Sequence, residues 1–338
     1  MTRTGVYAWG ALLVAFAFEG AAAAGPEIAM REFAGGQVKK GVRTIGMGGD
    51  GATTGNYALV YQDHGGALFD EGIVRFSDTG NLFTFSAVGF TTSSFWDGAA
   101  FYVIALSQRA TDVHVWDFTP SAAKPPSTGD LSDSSIFVKF AKPLTKTLSL
   151  GFMGAFELSE ATLRPNDGSS PIHFESSYLP SGGAGLHWHP DQHWQAGARV
   201  ILNHDEETRT DGNGSRSGLN RAYEYRLGVA YAPWKGTLLD VGASGLDRSN
   251  ELEHSSSFGI YPTVGAEQVL VRDRVWARAG LDETTWSTGM SIKAKPFKID
   301  IAYLYNLAAA RTGDVFGKRN ASLIATIGFD YESLLRRK

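Results

Sequence analysis

From Leu82 onward the sequence alternates apolar with small or polar residues in stretches of about ten, each followed by a short turn. In the clearest copy Leu148, Leu150, Phe152, Phe156 and Leu158 occupy one parity, and Ser149, Gly151, Ala155, Glu157 and Ser159 the other. A period of two means strand, because successive side chains leave a pleated backbone on opposite faces. The pattern predicts strands near 82–92, 98–107, 111–119, 134–142, 147–159, 180–189, 193–203, 221–232, 236–246, 256–269, 273–281, 285–295, 297–306 and 320–331. That makes fourteen, and bacterial single-chain membrane barrels carry an even number.

The N-terminal residues point to export. Arg3, the apolar run Gly10–Phe18 and the small residues Ala22, Ala23 and Ala24 have the order of a secretory signal, with cleavage expected near Gly25. The chain holds no cysteine, which excludes disulfides, thiolate metal sites and thiol catalysis. A net charge of −4 argues against a nucleic-acid partner, which needs a basic face. The mean hydropathy of −0.14 is compatible with a membrane barrel, since only alternate residues meet lipid.

The connections alternate in kind. Short ones fall at 142–147, 189–194, 232–236, 271–274 and 295–298, and longer polar ones near 119–135, 161–182 and 203–221. This is the order of an up-and-down barrel with short periplasmic turns and longer outer loops. Trp188 and Trp194 flank one short turn, and Tyr231 and Trp234 stand at another, as expected of rings at a membrane interface. Charged residues on the inward parity, among them Glu157, Arg199, Glu224, Arg226, Glu267 and Arg278, form a candidate network inside the barrel.

Other motifs point nowhere sharper. Gly46, Gly48 and Gly51 satisfy G-x-G-x-x-G, with Asp70 about twenty residues on, but no alternation of strands and helices surrounds them. His187, His189 and His193 cluster at one short turn and are expected to be interfacial turn histidines; no metal site is assigned. Asp211, Asn213 and Ser215 have calcium-loop spacing but lack a closing Glu, so a flexible outer loop is expected. No catalytic set stands out, and no cofactor is expected.

The run Arg43-Thr44-Ile45-Gly46-Met47-Gly48-Gly49 resembles the R-x-x-G-M-G-G-A opening of outer-membrane proteins of the FadL/PorV type. Val264-Gly265-Ala266-Glu267, then Val275 to Leu281, Ser287 to Met290 and Ile299 to Tyr303, resemble later strands of that family. Asp50 replaces the family's Ala, and Tyr61 to Leu68 stand where an Asn-Pro-Ala element is usual. The resemblance implies that the N-terminal segment plugs the lumen as a hatch, with Arg43, Gly46, Met47, Gly48 and Gly49 as its motif.

The expectation is therefore an all-β transmembrane antiparallel barrel of about fourteen strands in the outer membrane of a Gram-negative cell. Residues 1–24 would be the signal, 25–80 the hatch, 81–331 the barrel and 332–338 a tail. Its function would be a porin-like channel for small hydrophobic molecules, the alternative being a PorV-like scaffold in surface-protein export. Its partners would be outer-membrane lipid and lipopolysaccharide, with small hydrophobic ligands or secretion-system proteins according to the function, and it would not be an enzyme.

Overall fold

The computed structural model describes Met47 and residues 66–76, 82–95, 99–115, 127–178, 181–252, 254–282, 285–294, 296–306 and 321–330. These residues form strands joined by turns, with no helix among them. The strands are β1 Gly66–Phe76, β2 Leu82–Phe95, β3 Ala99–Val115, β4 Ser127–Pro143, β5 Leu148–Arg164, β6 Ile172–Tyr178, β7 Ser181–Trp188, β8 Trp194–Asp211, β9 Gly214–Tyr231, β10 Thr237–Asn250, β11 Ser255–Val271, β12 Val275–Asp282, β13 Thr285–Ala294, β14 Phe297–Asn306 and β15 Ala321–Asp330. β6 and β7 are two halves of one stave, since both pair with β5 and both with β8. All neighbours are antiparallel, and β1 pairs with β2 on one side and β15 on the other. Fourteen staves thus close into a barrel with no free sheet edge.

The expected count is met through two errors that cancel. The wall begins at Gly66, inside the stretch assigned to the hatch, so β1 was missed. The two strands expected at 98–107 and 111–119 are one strand, β3. A register shift between Ala110 and Val113 explains the break in alternation: Asp112 takes a φ of 52° and its N–H donates to the Asp130 carboxylate at 2.9 Å. The polar stretch 203–221 is not a loop either. β8 and β9 stay paired to Asp211 opposite Gly214, with the Asp211 carboxylate accepting the Asn213 N–H at 2.8 Å.

Outward side chains define a lipid-facing band. On β9 it runs from Tyr231 through Val229, Leu227 and Tyr225 to Tyr223, and the next outward position is exposed Arg221. On β5 it ends above Leu158 at Glu160, and on β10 it ends at Asp247. Eight residue steps on β9 cover about 27 Å along the strand, or about 20 Å of height once a tilt near 40° is allowed for. Trp188, Trp194, Tyr231 and Trp234 lie exposed at the short-turn end, with the Trp194 and Tyr231 ring centres 4.5 Å apart. The wall is taller on one side: β3, β4, β5, β8, β9 and β11 have 17 or 18 residues, against 8 to 10 in β12 to β15. About 9–11 residues span a bilayer, so the long strands stand clear of it at the long-connection end.

The band can be tested by charge placement. Leu227→Arg puts a charge at the lipid-facing middle of β9 and should cost about 2–4 kcal/mol in urea unfolding from lipid vesicles. Asp247→Arg, at the upper border, should cost about 0–1 kcal/mol in the same assay. Equal costs at the two positions would refute the band.

Candidate functional site

The interior is divided into an apolar sector and a charged sector. On β2 to β6, with β14 and β15, the inward positions carry Phe85, Leu106, Leu131, Phe137, Leu163 and Phe174, packed with small residues and Ile324 into one buried cluster. Leu131, Leu163 and Phe174 stand toward the long-connection end, whereas Phe85, Leu106 and Phe137 lie deeper. The outward faces of the same staves are also apolar, with Val88, Phe90, Ile136, Phe152 and Phe156 exposed. This wall is therefore greasy on both sides. Its polar members are held locally: Ser135 donates to Asp133 at 3.0 Å, and the Lys139 ammonium lies 5.1 Å from the Tyr102 ring centre.

The charged sector spans β8 to β14. Arg199 on β8 directly faces Arg226 on β9. Two opposed arginines repel, and Glu224 resolves this by accepting from Arg199 Nη2 at 2.9 Å and from Arg226 Nε with the same oxygen. Farther round, Arg278 donates from Nε to Glu267 at 2.6 Å and from Nη1 to Ser291 at 2.6 Å. Ser291 donates in turn to Asp300, which also meets Lys298 at 2.6 Å. This second cluster laces four consecutive strands together. Five of the six residues expected to form one interior network thus fall into two clusters, one on β8 and β9 and one on β11 to β14. The sixth, Glu157, projects inward from β5 and is half-buried.

Of the hatch motif, Met47 is fully buried. A methyl group on Gly265 of β11 would run into the Met47 carbonyl oxygen, so the N-terminal segment touches the inner wall there and only glycine leaves it room. Arg43, Gly46, Gly48 and Gly49 lie outside the described residues, as do Gly51 and the rest of the chain before Gly66. Asp70 belongs to β1, a strand paired on both sides.

The histidines divide differently from expectation. His193 sits in the turn, its Nδ1 2.8 Å from the Ala232 carbonyl. His187 is instead an inward residue of β7, only 1% exposed. What sequence reasoning missed was the apolar interior, because it sought inward residues by their charge. The signal was present in Leu82–Phe90 and Ala99–Leu106, where apolar residues fill both parities.

No family model matches the sequence, and no curated protein matches it. Solved structures do match its fold. The Pseudomonas putida toluene transporter TodX aligns over 85% of this chain and 96% of its own, at 12% identity and a TM-score of 0.53. A Pseudomonas aeruginosa FadL homologue aligns over 82% and 93%, at 12% identity and 0.51. The translocator domain of the Neisseria meningitidis autotransporter NalP aligns over 92% and 100%, at 9% identity and 0.50. The fold is that of the FadL/TodX outer-membrane barrels.

The charge clusters yield a stability prediction. Glu224→Leu leaves Arg199 and Arg226 opposed inside the wall and should destabilise the barrel by roughly 3–5 kcal/mol, the cost of breaking a buried pair from one side. Arg199→Leu with Glu224→Leu should recover part of the loss. Urea unfolding of the single and double variants reads both; a neutral single variant would show that Glu224 is not what holds the arginines.

Proposed function

We propose that the protein is an outer-membrane channel for small hydrophobic molecules. The observation that carries this reading is the apolar interior of β2 to β6, where a purely structural wall needs apolar residues only on its lipid side. A solute entering at the long-connection end would meet Leu131, Leu163 and Phe174 first and Phe137 and Phe85 deeper in. Met47, in contact with the wall at Gly265, would stand in the way of the straight path downward.

A sideways exit has a candidate place. Ala155 pairs with Ser181 but Ser159 with Ser176, so four steps of β5 face five of the β6–β7 stave. Tyr178 pairs with Asp205 but Gly182 with Leu202, so the same stave exceeds β8 by one as well. The extra residue falls between Tyr178 and Ser181, where the sequence is Leu179-Pro180 and Pro180 has no N–H to give a ladder. An irregularity shared by both flanks of one stave, facing β5 above Ala155 of the apolar cluster, is where a hydrophobic solute would pass from the apolar interior to lipid.

A second reading, a scaffold for surface-protein export, draws on the long strands and on the charged rim of β8 and β9 above the band. Under either reading lipid and lipopolysaccharide surround the barrel, and the protein works as a conduit or platform rather than an enzyme.

Uptake of a hydrophobic fluorescent probe into proteoliposomes decides between them. The channel reading expects protein-dependent flux that falls at least tenfold in Phe137→Glu and rises when residues 26–60, which lie ahead of β1, are deleted. Retention of the barrel in each variant is checked by the heat-dependent gel shift of folded barrels. Absence of flux from the folded wild type, with co-purification of exported proteins, would replace the channel by the scaffold.

A further inference from the structure

The outer face of β1 to β4 breaks the lipid-facing band. Cross-strand pairing sets Glu71 on β1 between Ile327 on β15 and Ser86 on β2, then Ser86 beside Ser107 on β3 and Ser107 beside Ser134 on β4. Ser86, Ser107 and Ser134 each stand between two buried inward residues, and Glu71 is exposed, so the row faces outward. The same row continues to Ile299 on β14 at one end and to Leu158 on β5 at the other. Both ends are exposed apolar residues of the band. In a barrel of tilted strands such a row climbs steadily round the wall, so its middle lies at heights between those of Ile299 and Leu158. Glu71 and Ser86 are therefore inside the hydrocarbon span, not above it.

Hydrocarbon supplies no hydrogen bond to a carboxyl group, and ionisable residues within a membrane are costly and as a rule face protein or water. The described outward neighbours of Glu71, namely Ile73, Ala325, Ile327, Thr84, Ser86 and Val88, include no cation. The serines and Ala105 also leave this face low, where β5 and β9 present Phe152, Phe156, Tyr225 and Leu227. Small residues let a second element approach closely within a membrane. We propose that this face is the contact surface between two copies of the chain in the membrane, each Glu71 carboxylate accepting a hydrogen bond from Ser86 of the partner subunit. A two-fold axis along the membrane normal, passing between Glu71 and Ser86, sets each of them opposite the other across the contact. Neighbouring strands about 4.8 Å apart and tilted near 40° keep the two residues within about 3 Å of one height. A foreign partner would have to bring a donor to this depth, whereas a second copy already carries one, and a hydroxyl bonded to a carboxylate is among the stronger hydrogen bonds. The contact leaves the β6–β7 stave uncovered and does not depend on the channel reading.

The chain holds no cysteine, so single introduced cysteines report contact without background. Thr84, one outward position above Ser86 on β2, falls within about 3 Å of the proposed axis, since two residues along a strand tilted near 40° move sideways by about 4 Å. The full-length Thr84→Cys protein, in proteoliposomes at low protein density, is treated with a short bis-maleimide cross-linker. It should give a covalent dimer, at a yield at least tenfold above that of Leu227→Cys on the lipid-facing middle of β9. Adding Glu71→Leu should lower the Thr84→Cys dimer at least tenfold, because an apolar residue there no longer has to leave lipid. Adding Ser86→Ala should lower it severalfold, and adding Glu71→Gln, whose side-chain oxygen still accepts, should keep most of it. The heat-dependent gel shift confirms folding, and if Glu71→Leu fails to fold, Ser86→Ala carries the test. A monomer in lipid, equal cross-linking at Thr84 and Leu227, or a dimer yield unchanged in the folded Glu71→Leu and Ser86→Ala proteins overturns the proposal. So does cross-linking of Thr84→Cys, in cell membranes, only to a different protein.

Discussion

Hydrocarbon offers no partner to a backbone N–H or C=O, so every such group in the spanning wall must find one within the sheet. That requirement closes the ring. The first and last strands, β1 and β15, pair in nine register positions from Leu68 opposite Asp330 to Phe76 opposite Ser322. Closure then fixes parity, since slipping a strand by one residue exchanges its two faces. On β9 such a slip would turn Arg226 to lipid and Leu227 to the interior. Closure thereby sets which charges face inward, and Arg199, Arg226 and Arg278 each have a carboxylate within reach there.

Much of this was legible in the sequence because two solvents wrote it. Where lipid meets one face and a packed interior the other, period-two alternation is clear, and β5 and β9 were found with the correct parity. Legibility failed where the solvents changed. β8 and β9 above the band are polar on both faces, so 203–221 read as loop although the two strands stay paired up to the turn at Gly212 and Asn213. β1 was hidden by Asp70-Glu71-Gly72 at its centre, and Glu71 is exposed on the outer side of the wall between Ile327 and Ser86. The Asp112 irregularity cut β3 in two. The apolar sector was hidden for the opposite reason: greasy on both faces, it loses its alternation.

The interior charges are better understood as placement than as a source of stability. Desolvating Arg278 and Glu267 offsets much of their attraction. What the pairing achieves is geometric, since Glu267, Arg278, Ser291 and Asp300 tie β11 to β14 at one level. Gly265, on β11 two residues from Glu267, is the point of contact with Met47.

The opposite wall has the reverse character. Its cohesion is non-directional, and its ladder is interrupted between β6 and β7 on both flanks. The register shifts near Asp112, after Thr92 and after Val269 each involve a single strand pair. A shift against both neighbours loosens a stave more than a shift against one, because neither side can hold the other in register. Under the channel reading the two halves of the barrel therefore divide the work: β11 holds Met47, and β2 to β7 give way to the solute. The energetics favour that assignment. A hydrophobic molecule leaving sideways past Ala155 passes from one apolar surface to another, whereas one leaving downward would have to displace Met47 from Gly265.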